Sequence, residues 1–156
     1  NSLAPVSIRS APPHTSDVFI VHGHDEVNTL RLEKVLRDEF RLNTHVIGKQ
    51  PGQTQAIIDK FESRAAKSAF AIALFTPDDF VENGGRQYRQ ARPNVIFEVG
   101  WFVGRLGKDR VLLMLKENTD LHSDLDGLNH INFRDNVTEK FLEIQQELIA
   151  SGIVRK

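Results

Sequence analysis

The sequence predicts an α/β domain of the flavodoxin-like kind: a five-stranded parallel sheet in the order 2-1-3-4-5, with helices on both faces. Three observations lead there. After Asp17, short apolar runs bounded by glycine or polar turns alternate with stretches of helical period. That alternation favours right-handed crossovers and a parallel sheet covered on both sides. The length of 156 residues suits one such domain with a sizeable core, and falls well short of the roughly 250 residues of a β/α barrel.

The segment before Asp17 is rich in Ser, Ala and Pro and has no period, so residues 1–16 are expected to be a linker from an upstream domain or the remnant of a tag, with the domain itself spanning 17–156. The first strand is Val18-Phe19-Ile20-Val21, closed by Gly23. Leu30, Leu32, Val35, Leu36 and Phe40 then recur at helical spacing behind Asp25, a good N-cap residue. Thr44 to Ile47 is the second strand, ended by Gly48, and Gln53 to Lys67 a second helix carrying Ile57, Ile58 and Phe61. The fully apolar Phe70 to Phe75 is a buried third strand. Thr76 to Pro93 is expected to be a polar loop. Asn94 as N-cap and Gly107 as stop bracket a third helix. Val111 to Leu115 and His130 to Phe133 are the fourth and fifth strands, separated by a loop from Asn118 to Asn129. Glu139 to Ala150 is the last helix, with Phe141, Ile144, Leu148 and Ile149 on its apolar face.

Composition narrows the chemistry. With no cysteine, disulfides, thiolate nucleophiles and Cys-based metal centres are excluded. A net charge of −1 gives no global attraction to nucleic acid or to a membrane surface. No signal-peptide pattern opens the sequence and no apolar run is long enough to span a bilayer, so a cytoplasmic location is expected.

Glu98 is the only charged residue in the apolar run from Val95 to Gly104. A carboxylate there costs free energy to desolvate, and glutamate is seldom buried unless paired or functional. It either stabilises or attacks a positive centre in a substrate, or forms a buried ion pair with Arg92 or Arg105. His22-Gly23-His24-Asp25 follows the first strand and Thr76-Pro77-Asp78-Asp79 the third. In a 2-1-3-4-5 sheet these two strand ends border the ligand crevice. Gly23 then lets the backbone approach a ligand that His24 or Asp25 touches, and Asp78 and Asp79 bond ribose hydroxyls, unless they serve only as caps and turns. No metal site is expected, because the remaining histidines form no ligand spacing. The loop Gly48 to Thr54 lacks the phosphate-binding Gly-Lys-Ser/Thr ending and is either a mobile gate or a plain surface loop. Arg86, Arg89 and Arg92 recur every three residues, a cluster able to neutralise a pyrophosphate or simply a solvated basic loop. Gly100 and Gly104 share one helical face, and close packing against the sheet or a neighbouring chain would offset their cost in a helix.

Three stretches resemble the TIR-like domain of bacterial CD-NTase-associated and Pycsar antiphage effectors: Val18 to Asp25, Phe75 to Asp79, and Arg92-Pro93-Asn94-Val95-Ile96-Phe97-Glu98-Val99-Gly100-Trp101-Phe102. The likeness runs in the same order from Asp17 to Phe133, and the third stretch is its most specific part. It implies a TIR fold and cleavage of NAD+ at the nicotinamide–ribose bond, NAD+ being substrate and no cofactor being needed. Glu98 matches the family's catalytic glutamate. Phe19, Gly23, His24, Asp25, Asp78, Asp79, Arg92, Asn94 and Trp101 form the expected substrate-contacting set. Lys49, Gln50, Pro51 and Gly52 match the BB loop that gates the site and touches a neighbouring subunit. The resemblance further implies self-association with neighbouring TIR domains when an upstream sensor domain responds to a cyclic nucleotide. Many animal and plant relatives carry tryptophan four residues before the glutamate; Asn94 stands there in this chain, leaving Trp101 or Phe19 as candidate stacking rings.

The chemistry suits a lone glutamate. Breaking the bond to a cationic nicotinamide develops an oxocarbenium-like ribose that a carboxylate can stabilise or trap, while nicotinamide leaves neutral and needs no second acid. Two other readings stay open: a nucleoside 2-deoxyribosyltransferase-like enzyme, which also places Glu-x-Gly at a helix start, and a non-catalytic TIR interaction module.

Overall fold

The computed structural model describes residues 17–47 and 61–155. The expected linker at 1–16, the expected gate at Lys49, Gln50, Pro51 and Gly52, and most of the helix expected from Gln53 lie outside the described residues. The first strand, β1, is Val18–Val21; α1 follows over Glu26–Lys34 and continues as a wider π-type turn over Val35–Glu39. Next come β2 (Thr44–Val46), a helix α2 whose described residues are 61–65, and β3 (Phe70–Phe75). An antiparallel hairpin, β4 (Asp79–Asn83) with β5 (Arg86–Gln90), leads into α3 (Pro93–Leu106). The chain closes with β6 (Val111–Lys116), β7 (Asn129–Phe133) and α4 (Phe141–Ala150).

The main sheet is wholly parallel, in the order β2-β1-β3-β6-β7. This is the expected 2-1-3-4-5 order once the separate hairpin is left out of the count. Alternation along the central strands sends side chains to two cores. Val18, Ile20, Ile72, Leu74, Leu112 and Met114 meet Leu32 and Leu36 of α1 and Ile144 and Leu148 of α4 on one face. Phe19, Val21, Ala71, Ala73 and Leu113 meet Phe61 of α2 and Val95, Val99, Phe102 and Leu106 of α3 on the other. On this second face the small Ala71 sits beside Phe19 in register, leaving room for an aromatic cluster. In that cluster the Phe19 ring lies 4.9 Å from Phe102 and 5.5 Å from Phe61.

Four local expectations are corrected. The polar loop from Thr76 to Pro93 contains the β4–β5 hairpin, turned by Gly84 and Gly85 at φ 58° and 81°. Two central residues with positive φ make the tight mirror-image turn that matches strand twist, and glycine adopts it freely. The N-cap of α3 is Arg92 rather than Asn94, because Pro93 occupies the first helical position, where its fixed φ and missing N–H suit the helix. Leu30 is exposed rather than on the buried face of α1. Finally, Gly100 and Gly104 do not pack against the sheet: both are exposed, and a Cβ on either would meet no atom within 4 Å.

Candidate active site

α3 buries Val95, Val99, Phe102 and Leu106 against the sheet. At 100° per residue, Asn94, Glu98, Trp101 and Arg105 fall together on one flank of that buried stripe. The flank faces α2, since Trp101 packs edge-on against Phe61 at 5.3 Å. Glu98 is therefore a second-turn residue, beyond the reach of the helix N-terminal dipole and set against the aromatic core. Burial pushes its carboxyl from the ordinary 4.5 up to about 7, with a hydrogen bond from the Asn94 amide pulling the other way. Among the described residues no cation pairs with it. Arg92 bonds Asp79 at 3.2 Å, and Arg105 reaches the Ala66 carbonyl at 3.5 Å while lying over the Trp101 ring at 5.8 Å. The alternative, a buried ion pair of Glu98 with Arg92 or Arg105, is therefore not found among the described residues.

The ends of β1 and β3 meet beside the start of α3. The Asp78 carboxylate occupies the space a Cβ at Gly23 would need, and the Arg92 Cγ lies 3.2 Å from the same point. Asp78 Oδ2 accepts the His24 backbone N–H at 3.1 Å, and Oδ1 accepts the Thr76 hydroxyl at 2.8 Å. Gly23 was expected to open the backbone to a ligand; the group that approaches it is Asp78. Asp78 in turn already holds two protein donors. The His22 ring nitrogens lie 3.0 Å from the Gly23 carbonyl and 3.1 Å from that of Ile47, tying this loop to the end of β2. The His24 residue itself is exposed.

Other expected site residues are placed elsewhere. Phe19 is 1% exposed inside the aromatic cluster, so it forms core beneath the crevice rather than its wall. Asp25 caps α1, accepting the Asn28 N–H at 3.0 Å and the Asn28 amide at 2.8 Å, and it pairs with Lys116 at 2.9 Å. Burial is the largest single influence on its carboxyl and acts upward, but the Asn28 bonds and Lys116 together hold it below the ordinary value. The arginines do not act as one cluster, because strand alternation separates them. Arg86 and Arg89 point to opposite faces of the hairpin, with Arg89 over the Phe80 ring at 5.5 Å, while Arg92 bonds Asp79 through Nη1 and keeps a buried Nε without a partner among the described residues.

Asn28 and Lys116 support the site without having been singled out in the sequence. Asn28 alone had a local signal, standing three residues after a capping aspartate.

Residues 17–135 match the family described as CAP12/Pycsar effector protein, TIR domain. This chain belongs to that TIR family. It is 36% identical over 128 residues to the Pycsar effector protein PaPycTIR of Pseudomonas aeruginosa, covering 79% of this chain and 41% of the relative. A protein of Escherichia coli K12 called YuaY is 36% identical over 121 residues, covering 74% of this chain and 39% of the relative. Protein tirC of Dictyostelium discoideum is 30% identical over 143 residues, covering 84% and 69%. The TIR domain thus spans about two fifths of the length of the first two relatives. Among solved structures, the Clostridium botulinum CMP N-glycosidase BcmB shares the fold at a TM-score of 0.53 and 14% identity, over 83% of this chain and 98% of that one. No helix among the described residues is long and apolar enough to cross a membrane.

Proposed function

We propose that this TIR domain is an NAD+ glycohydrolase of an antiphage effector, with Glu98 as its catalytic carboxylate. The observation that carries the reading is the state of Glu98: largely desolvated, held by Asn94, raised to about 7, and without a cationic partner among the described residues. Perturbed, unpaired carboxylates of this kind concentrate at functional sites. In the reaction the bond from ribose C1′ to the nicotinamide nitrogen breaks, and its electron pair leaves with nicotinamide, which becomes neutral. Positive charge develops on the ribose, and the Glu98 carboxylate stabilises it at short range in a poorly solvated setting. Water then adds to C1′, and its proton passes to Glu98 or to solvent, giving ADP-ribose.

Membership of the effector family supports three further points of the proposal. An upstream sensor domain responds to a cyclic nucleotide, TIR domains assemble with one another, and the resulting loss of NAD+ halts the infected cell. Activity should therefore rise more steeply than linearly with protein concentration.

The test is release of nicotinamide from NAD+ by the parent protein and by Glu98→Gln at high protein concentration. The proposal expects abolished cleavage with an unchanged circular-dichroism spectrum. Parent-rate turnover by Glu98→Gln makes Glu98 structural. Because the fold is shared with a CMP N-glycosidase, CMP belongs in the same assay, as does deoxyadenosine with a free base. Cleavage of CMP or base exchange without loss of NAD+ overturns the choice of substrate.

A further inference from the structure

The β4–β5 hairpin and the loop after β6 enclose a cleft of about 340 Å³ that the chemistry of Glu98 does not use. Strand alternation builds one wall: Arg86, Tyr88 and Gln90 face the cleft, with Asn83 opposite Arg86 in register. The other wall carries Leu121 and His122. The walls are fastened by a reciprocal pair of bonds, from the Asp120 N–H to the Arg89 carbonyl at 2.8 Å and from the Arg89 N–H to Asp120 Oδ2 at 3.2 Å. The two walls are therefore joined at the Asp120–Arg89 pair.

Its lining is rich in unused donors. The side chains of Asn83, Arg86, Tyr88 and Gln90 make no hydrogen bond to any described residue. The one carboxylate in the lining, Asp120, accepts the Arg89 N–H through Oδ2 and lies on the wall opposite Arg86, whose guanidinium offsets its charge. His122 Nδ1 lies 3.2 Å from the Asp124 backbone nitrogen and 3.5 Å from the Asp124 carboxylate, and its Nε2 makes no bond to a described residue. A guanidinium and an imidazole N–H suit a phosphate, a phenol ring offers a stacking surface, and two amides can read the edge of a base. The volume lies within the range of small-molecule sites. We infer that this cleft binds a nucleoside monophosphate, with its phosphate at Arg86 and its base against Tyr88.

Glu98 is not among the residues that line this cleft. Glu98 lies on the flank of α3 that faces α2, and α2 packs on Phe19 of β1. The cleft is walled by the loop after β6, and β3 lies between β1 and β6 in the sheet. Binding here is thus measurable whether or not the protein cleaves NAD+.

The experiment is calorimetric titration of the full chain with AMP, with adenosine and inorganic phosphate titrated separately. AMP should bind more tightly than either fragment. Arg86→Gln and Tyr88→Leu should each weaken AMP about tenfold, the loss expected for one charge-assisted contact or one stacking contact. Glu98→Gln should leave AMP affinity unchanged. No binding of AMP at millimolar concentration, or binding indifferent to both hairpin substitutions, overturns the assignment. So does AMP binding lost on Glu98→Gln, which would place the nucleotide in the other crevice. Unchanged melting temperatures of the two variants exclude misfolding as the cause of a loss.

Discussion

The carboxylate of Asp78 fills the space beside Gly23 that any larger residue would claim. It also accepts the His24 N–H, so the end of β3 is latched to the end of β1 across the mouth of the crevice. Gly23→Ala should break this latch by pushing Asp78 aside, at a cost of about 1–3 kcal/mol typical of overpacking. The measurement is thermal unfolding of Gly23→Ala, of Asp78→Ala and of the pair. If the crowding is between these two residues, the double variant loses much less than the sum of the singles. Additive losses would mean that Gly23 is needed for another reason.

Glu98 gives the protein a pH dependence whose sign follows from its shift. In the unfolded chain it ionises near 4.5, whereas in the fold it keeps its proton to about 7. Below the first value both states are protonated and the residue has no effect on the balance. Between the two values unfolding releases a proton, so stability falls as pH rises and levels off above the second. Glu98→Gln should therefore be more stable than the parent near pH 8, by on the order of 2 kcal/mol, with no gain near pH 4. Chemical denaturation at the two pH values checks this. Cleavage of NAD+ should show the complementary profile, rising through pH about 7 as the carboxylate forms.

Asn94 tunes that profile. Its amide favours the ionised form of Glu98, so Asn94→Ala should move the midpoint of the activity profile to higher pH while leaving the plateau rate nearly intact. A variant that loses activity equally at every pH would instead assign Asn94 to substrate contact.

Gly100, near the middle of α3, and Gly104, in its last turn, are exposed with open space where a Cβ would go. Alanine at either position should stabilise the isolated domain by about 0.5–1 kcal/mol. A melting temperature that rises while NAD+ cleavage falls would show that a neighbouring molecule packs on this face of the helix.

Much of the architecture was readable in the sequence because its signals are local. The apolar runs of β1 and β3, the capping Asp25 and the stripe on α4 each depend on residues a few positions apart. The hairpin was missed because Phe80 and Tyr88 sit among charges with no buried face to impose a period, although the Gly84-Gly85 pair between them was a usable turn signal. At the candidate site, the isolation of Glu98 and its spacing from Asn94 were visible. The role of Asp78 was not, since its partner His24 lies 54 residues away. The same holds for the division of the arginines, which depends on a strand pairing rather than on their regular spacing.

Among the described residues the hairpin forms a ladder only with itself, and it is tied to its surroundings by the Asp120–Arg89 bonds and the Asp79–Arg92 ion pair, sharing no ladder with the five-stranded sheet. Its tip can accordingly gain, lose or exchange residues without disturbing the register of any structural strand. The hairpin is thus a place where length and sequence can change at little cost to folding. Related chains should tolerate changes of length at the Gly84-Gly85 turn, while Gly23, Asp78 and Glu98 stay fixed.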